Sequence, residues 1–564
     1  MLFGRAKDSF TYEIIDGKAV LTRFSGRGPQ VEVDSVYEGH PVEEIGENAF
    51  YDNGKIETVL LPESVRKIGD GAFRGCSALK SISLPTALEE LGEYCFAGCK
   101  SLTEVHLPST VTAIPEGAFQ KCRALTRAVL PESVVSIGRE AYADCRALEL
   151  LRMGKNVTDV GENAFKGTGS ALCAVISEGV DSKIIGEAAA LYRRGEDGLT
   201  LVSYGGHDTK LTLDSEICGE PVTAIGDRVF AMFAYLESVV LPAKLKRIGE
   251  SAFAGCSALD AIALPETLEV IGAKAFSGCG TQEGRPSYVS ARAGDMLSCS
   301  GLDFLRLPAG VKEVGPGAFA GCTDLKQVVI EGADTHLSAG CFAYCPFTSF
   351  TFPAHTEEIQ GEVLRGCALL EDVVIPEGVE MIFERAFEGC ASLKEIRLPS
   401  TLRGIAEGAF SGCASLKTVE IPSSVTEIQP DAFSFMESLT EIKVDLRGEA
   451  FRVEDGLLIE NDTGRLLCAV PALKGTVYVP EDVKTIAACA FTLCGAEKIV
   501  LPESVTEIGD WAFRFAALKT LQVDSPEIKV GNGVLLDTED VEIIANETVT
   551  AALNGISCGE DEEE

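Results

Sequence analysis

The sequence predicts an α/β repeat solenoid in which coils of about 23 residues stack and share a continuous parallel β-sheet. Three observations predict it. A buried-type aromatic residue recurs every 22 or 23 residues over most of the chain. Apolar residues stand at fixed offsets from that aromatic. The chain has 564 residues, more than one hydrophobic core supports, whereas a repeat array grows along a single axis.

The recurring aromatic marks the coils and divides them into blocks. Most markers follow Ala, and one is a Leu. The markers are Phe50, Phe73, Phe96, Phe119, Tyr142 and Phe165, then Phe230, Phe253 and Phe276, then Phe319, Phe342, Leu364, Phe387, Phe410 and Phe433, and finally Phe491 and Phe513. A constant spacing of this kind is typical of stacked units that cannot bury their apolar face alone.

One coil can be taken from residues 62–84. Leu79, Ile82 and Leu84 lie on a short apolar segment that predicts a strand. Residues 70–76 suit one or two helical turns, because apolar positions four apart share a helix face. The sequence therefore predicts a coil with one strand and one short helical side.

Paired residues recur at the same offsets throughout the chain, for example Leu398-Pro399, Ile405, Ala409-Phe410, Gly412-Cys413 and Leu416. On these residues the sequence resembles the BspA-like, Treponema-type leucine-rich-repeat family over nearly its whole length. The resemblance implies a leucine-rich-repeat array. It also implies roles in adhesion to host proteins or cells and in protein–protein interaction.

Hairpin-containing segments are predicted to open the blocks. Apolar runs flank Asn461 to Gly464, which is a hairpin signal, and residues 530–536 resemble the start of another hairpin. Residues 12–46 and 193–226 match each other in their Gly and Pro positions. A capping or spacing role is the simplest interpretation of these segments.

These patterns predict six segments: a cap at 1–45, a first repeat block at 46–170, a linker and second opening segment at 171–222, a second block at 223–445, a hairpin with a short third block at 446–523, and a C-terminal cap with an acidic tail at 524–564. Within the second block, residues 280–302 follow the repeat imperfectly. We expect a degenerate turn there.

The charge balance excludes some partners. The chain has 49 Lys and Arg against 86 Asp and Glu, a net charge of −37. Such a surface repels nucleic acid and anionic lipid, although the charge could simply keep a long solenoid soluble. No apolar run suggests a signal peptide or a membrane span. We therefore expect a cytoplasmic, monomeric protein without membrane insertion; a surface or secreted location is the alternative.

Twelve of the 20 cysteines occupy one repeat position: Cys76, Cys99, Cys122, Cys145, Cys256, Cys279, Cys322, Cys345, Cys367, Cys390, Cys413 and Cys494. A repeated position suits a small packing residue, so we expect free, metal-free thiols. The spacing of adjacent coils alone does not exclude disulfides. We find no phosphate-binding loop, zinc spacing or catalytic constellation, and we expect neither a cofactor nor an enzyme.

The outward side chains of the strands are the predicted binding surface. Strand residues alternate inward and outward, so equivalent positions form two outward columns. Apolar and Arg residues in these columns suit protein recognition. The candidate binding residues are Arg127, Val129, Arg152, Phe304, Arg306 and Arg397. Phe304 could equally cover a gap beside the degenerate turn.

The sequence thus predicts a protein-interaction scaffold that binds a polypeptide. The alternative is a bacterial cell-surface adhesin that binds host proteins. A third hypothesis, an enzyme, requires converging catalytic residues, and the sequence offers none.

Overall fold

A computed structural model of the chain describes residues 9–185, 188–259, 261–278, 303–538 and 540–555. It confirms the repeat solenoid. The chain divides into two compact units, residues 1–207 with 216–229, and residues 208–215 with 230–564. Within each unit, stacked coils of about 23 residues bury one continuous run of apolar side chains.

Most coils contribute strands to two parallel ladders, which we call the face ladder and the short ladder. Thr58 pairs with Ser81 in the first, and Lys67 pairs with Glu90 in the second. The face strands are Gln30–Glu32, Thr58–Leu60, Ser81–Ser83, Arg127–Val129, Leu150–Arg152, Cys173–Ile176, Lys210–Thr212, Ser238–Val240, Ala261–Ile262, Phe304–Leu307, Gln327–Ile330, Ser349–Thr351, Asp372–Val374, Thr418–Ile421, Glu441–Val444, Gly475–Tyr478, Ala496–Leu501, Thr520–Val523 and Glu542–Ile544.

The short ladder was not predicted, because each of its strands has only two residues. These strands are Lys67–Ile68, Glu90–Leu91, Ala113–Ile114, Ser136–Ile137, Asp159–Val160, Arg247–Ile248, Val270–Ile271, Glu313–Val314, His336–Leu337, Glu358–Ile359, Met381–Ile382, Gly404–Ile405, Glu427–Ile428, Thr485–Ile486, Glu507–Ile508 and Lys529–Val530. In most of these strands the second residue is a buried Ile, Leu or Val, and the first residue is exposed or half-buried.

The face ladder is interrupted rather than continuous. Residues 103–107 and 394–398 follow the path of face strands but do not form strand hydrogen bonds. Most face strands are only three or four residues long, so the loss of one or two bonds is enough to end a ladder. The outward positions nevertheless continue through these coils, since Glu395 and Arg397 are exposed on either side of the less exposed Ile396.

The predicted helical side of the coil is wrong. Residues 69–78 form successive turns, and no α-helix is assigned there. Gly71 and Gly75 have φ angles of 58° and 78°, in the left-handed region that interrupts a right-handed helix. We call the two left-handed positions of each coil its corners. The described chain contains one α-helix, Glu547–Gly555, and one 3-10 helix, Ser182–Ile185.

Hydrogen bonds between coils replace those of a helix. The amides of Gly71, Phe73 and Gly75 each donate to a carbonyl of the next coil over 2.7–2.8 Å. The marker aromatics stack in a column as a result. In the first unit, five successive ring pairs from Phe50 to Phe165 have centroids 4.8–5.6 Å apart and planes within 14° of parallel.

The repeated cysteine completes this arrangement. The thiol of Cys76 donates to the carbonyl oxygen of Phe50 over 3.1 Å, and the amide of Asn53 donates to the same oxygen. Equivalent thiols bond to the marker carbonyl of the preceding coil in ten coils of the described chain. A buried acceptor is thereby satisfied by a side chain small enough to fit between coils.

Antiparallel hairpins open the blocks, as predicted. Glu460 pairs with Arg465 across the predicted turn. The strands of these segments are Ser9–Ile15, Lys18–Ser25, Val36–Tyr37 and His40–Ile45, then Ala190–Arg194, Leu199–Tyr204, Glu216–Ile217 and Glu220–Ile225, and finally Phe451–Glu454, Leu457–Glu460 and Arg465–Ala469.

The hairpin predicted to start at residues 530–536 is wrong. These residues form the turns of a further coil, in which Leu535 occupies the marker position and buried Val534 replaces the Ala before it. The amides of Trp511 and Phe513 donate to carbonyls of Asn532 and Val534, as between other neighbouring coils. The glycines that suggested a hairpin serve a corner instead, since Gly533 has a φ of 53°.

The degenerate turn predicted at 280–302 lies outside the described residues. The coils on either side of it are direct neighbours: the rings of Phe276 and Phe319 stack 5.1 Å apart, and the amide of Phe276 donates to Ala318. In the short ladder, Val270 pairs with Glu313. The aromatic column and the short ladder therefore continue directly from residue 276 to residue 319.

We expect Phe410→Ala to destabilise its neighbourhood by about 3–5 kcal/mol, the usual effect of emptying a buried aromatic site. Its ring is buried between Phe387 and Phe433, at 5.2 and 5.8 Å. Because coils contact only their neighbours, hydrogen exchange should accelerate around residues 387–433 and remain unchanged in the first unit. Leu446→Ala, at an exposed site, is the control. Uniform acceleration in both units would contradict this expectation.

Candidate functional site

The face strands display two outward side chains on either side of one inward side chain. In Arg127–Val129, the outer residues are exposed and Ala128 is buried. Parallel pairing aligns equivalent positions, so Arg127 lies beside Leu150 and Val129 beside Arg152. The outward residues therefore form two columns, as strand alternation predicts.

Exposed apolar side chains recur along the outward columns. The set, 38–71 % exposed, comprises Leu60, Val129, Val240, Phe304, Val329, Val374, Tyr478 and Ile544. Sequence reasoning did not single out Val240 and Val329, because each belongs to an apolar run that resembles a buried strand. Their offset from the marker aromatic was the available signal: Val329 pairs directly with Arg306.

Arg306 is held by two carboxylates on the face of the second unit. Its Nε and Nη2 atoms donate to the two oxygens of Glu331, each over 2.7 Å, and its Nη1 atom donates to Glu266 over 2.7 Å. Hydrogen bonds from the guanidinium to both carboxylates raise the pKa of Arg306. Phe304 leaves the same strand from the other outward position and is half exposed.

Arg152 occupies a different environment. Its side chain is 20 % exposed and donates to Glu132 and Glu220, each over 3.0 Å. Arg194 of the opening segment also donates to Glu220, over 2.6 Å. Hydrogen bonds from Arg194 and Arg152 lower the pKa of Glu220. This network joins a coil to the hairpin segment within the first unit.

The remaining predicted residues are more open. Arg127 and Arg397 are both exposed, and neither forms an ion pair within the described parts of the chain. Val129 lies on the same strand as Arg127. The structure thus brings together Arg127, Val129 and Arg152 on adjacent strands of the first unit, and Phe304 and Arg306 on one strand of the second.

The cysteines are unsuited to chemistry at the surface. Burial raises the pKa of Cys76, Cys145 and Cys256 to about 12, which disfavours the reactive thiolate. Among the residues the structure describes, no group of three His, Cys, Asp or Glu side chains could hold a metal ion. In the same residues, no helix is both long and apolar enough to cross a membrane.

The family model of the BspA type leucine rich repeat region (6 copies) matches residues 43–171, 223–345, 335–452 and 474–552. These matches span most of the chain. A search of curated proteins finds no match.

Several solved structures are similar to this chain. A leucine rich repeat protein of T. pallidum is 32 % identical over 28 % of this chain and 86 % of its own, with a TM-score of 0.26. A leucine-rich repeat protein from Bacteroides ovatus is 20 % identical over 92 % and 99 % of the two chains, with a TM-score of 0.30. A leucine rich cell surface protein from Faecalibacterium prausnitzii is 21 % identical over 79 % and 95 %, with a TM-score of 0.28.

We expect native alkylation at pH 8 to label Cys218 rapidly and the buried cysteines slowly. Cys218 is exposed, whereas 15 of the described cysteines are buried. All 20 cysteines should react after unfolding in the absence of reductant, and the protein should hold no zinc. Peptide mass spectrometry distinguishes the sites, and Cys218→Ser removes the fast labelling at that site. Disulfide-linked peptides or one equivalent of bound zinc would refute the expectation.

Proposed function

Because this chain belongs to the BspA type leucine-rich-repeat family, we propose that it is a non-catalytic scaffold that binds a protein partner through its face strands. The observation that carries the proposal is the recurrence of exposed apolar side chains, interspersed with Arg, on a face whose inward positions are buried. Isolated exposed apolar residues are ordinary, but an aligned series is typical of an interaction surface.

Phe304, Arg306 and Val329 are the anchors that we propose in the second unit. They come from two paired strands, so they form one patch. Aromatic and Arg side chains carry much of the binding energy in protein interfaces. The two glutamates fix the guanidinium of Arg306 by its edges, which leaves its planar face available to stack on a partner's aromatic or peptide group.

A second patch is proposed in the first unit, at Arg127 and Val129. Both side chains are exposed, and Arg127 has no ion pair that would fix it within the described chain. Arg152, beside Val129, contributes more through its ion pairs to the opening segment than through free surface. Arg397 offers a further exposed cation on the face.

A cell-surface adhesin that binds host proteins would use the same face, and it differs in location rather than in binding chemistry. The resemblance of the repeat to BspA-like proteins favours this alternative. Fractionation of the source cells, followed by surface proteolysis of intact cells, distinguishes it from a scaffold that acts inside the cell.

A double variant, Phe304→Ala with Arg306→Ala, tests the proposed binding face when its capture of the partner is compared with that of the wild type. We expect at least a tenfold loss of binding to the partner identified by cross-linking from position 329. Stability should stay within about 1 kcal/mol of wild type, as for other surface changes.

The matched control is Met232→Ala combined with Arg228→Ala, which removes the same kinds of side chain from exposed corners outside the face strands. It should bind normally. Unchanged capture by the Phe304 and Arg306 variant would eliminate this patch. A large loss of its stability would instead indicate that Phe304 packs against its own unit.

A further inference from the structure

Aromatic side chains occupy corner positions in one part of the second unit, remote from the outward positions of the face strands. Phe435, Leu493, Trp511 and Phe515 have φ angles of 55°, 62°, 52° and 57°. Trp511 and Phe515 are each 43 % exposed, and nearby Leu536 is 44 % exposed. We call these five residues the corner patch.

Bulky residues are poorly suited to these positions. The left-handed region brings the Cβ atom of an L-residue close to its own backbone, so Gly, Asn and Asp are favoured there, although corners such as Tyr94, Lys121 and Tyr344 also hold large side chains. The corners equivalent to Phe515 are glycine in many other coils, including Gly75, Gly98, Gly255 and Gly412. Strained positions that retain large side chains are often functional.

Contacts join the members of the patch in two pairs. The rings of Phe435 and Phe515 meet edge to face, with centroids 6.3 Å apart. The indole of Trp511 lies over Gly533 of the next coil, where an added Cβ would approach its Cδ1 atom to 2.8 Å and the Cβ of Leu536 to 3.5 Å. Trp511 and Leu536 therefore flank the same glycine and continue the apolar surface.

The surroundings of the patch favour cations. The guanidinium of Arg514 lies 4.8 Å from the centre of the Phe515 ring and is neutralised by Asp537 at 2.9 Å. This contact shows that the ring can accept a stacked guanidinium. Burial raises the pKa of Cys489, the corner residue of the intervening coil; the charges of Asp431 and Asp510 raise it further, whereas that of Arg514 lowers it. The whole chain carries a net charge of −37.

We propose that the corner patch binds a basic polypeptide segment, whose Arg or Lys side chains stack on Phe515 and Trp511 and whose apolar side chains contact Leu493 and Leu536. Aromatic faces attract the cations, and the surrounding carboxylates attract the segment as a whole. The corner patch lies outside the face strands, so failure of this proposal would leave the proposed function unaffected, and the reverse.

Trp511 provides a site-specific measurement, because it is the only tryptophan in the chain. The probe is an amidated peptide of alternating Arg and Leu, titrated into the full-length protein at low salt while tryptophan emission is recorded. We expect a saturable change in emission that weakens as salt rises. A peptide in which Glu replaces Arg should give none. No saturable change with the basic peptide, or an equal response to the acidic one, would overturn the proposal.

Phe515→Gly distinguishes binding from packing. Glycine suits the corner, so we expect an unchanged or higher Tm together with at least tenfold weaker peptide binding. Met232→Gly is the matched control: Met232 is an exposed corner residue with a φ of 67°, so it should show the same thermal behaviour and normal binding. Phe515→Leu keeps apolar bulk without an aromatic face and should also bind weakly. Normal binding by both Phe515 variants would refute the proposed site.

Three further measurements address other occupants. Sedimentation velocity tests for a second copy of the chain, and titrations with maltooligosaccharides and with phosphatidylcholine vesicles test for sugar stacking and lipid contact. The proposal expects no change in each. Self-association that is lost in Phe515→Gly, or an emission response to sugar or vesicles but not to the basic peptide, would overturn it.

Discussion

Hydrogen bonding from the turns of one coil to the turns of the next is the interaction on which the rest of the structure depends. The amides of Gly71, Phe73 and Gly75 all point along the stack because the chain alternates between right-handed and left-handed backbone. A helix would direct the same amides back to its own carbonyls. The alternation therefore commits each coil to its neighbour, and a coil without a neighbour leaves these groups unsatisfied.

This commitment determines which positions are constrained. Between the two corners, the marker aromatic must face inward, where it stacks on the aromatics of adjacent coils. The carbonyl of the marker then needs a second donor in an apolar environment, and a cysteine thiol is small enough to supply it. The Phe and the Cys of the repeat therefore serve the same purpose, which is to pack and hydrogen-bond the turns of neighbouring coils. The outward positions of the face strands carry no such constraint, so their side chains can vary without altering the stack, whereas corner side chains are limited by the left-handed backbone.

The solenoid, the face strands and the opening hairpins could be predicted because each depends on a short-range pattern that is repeated many times. The turns were mistaken for helix because Ala72 and Cys76 are four residues apart, as on a helix face. That spacing is equally compatible with two successive turns, and only the glycines at 71 and 75 signal the difference. At Gly531 and Gly533 the glycines suggest a hairpin, but the structure forms a corner of a further coil there.

The ion pairs of the candidate site could not be predicted. Arg152 and Glu220 are 68 residues apart and belong to different kinds of segment, so no repeat offset relates them. The partners of Arg306, Glu331 and Glu266, are 25 and 40 residues away, and neither separation equals the repeat period. The exposed valines Val240 and Val329 were detectable in principle, since they share the offset of Val129, but their apolar neighbours concealed them.

The two arginine clusters differ in charge balance and exposure, and the difference bears on the recognition role that we propose for Arg306. Arg152 and Arg194 share Glu220, and with Glu132 the cluster has two positive and two negative charges in a half-buried site. Such a balanced and partly desolvated group holds two segments together. Arg306 faces two carboxylates at a more exposed site, which leaves that cluster with a net negative charge. Its attraction for an acidic group is therefore already cancelled. The recognition that we propose for this patch therefore depends on the apolar surface of Phe304 and Val329 and on the guanidinium plane rather than on long-range charge.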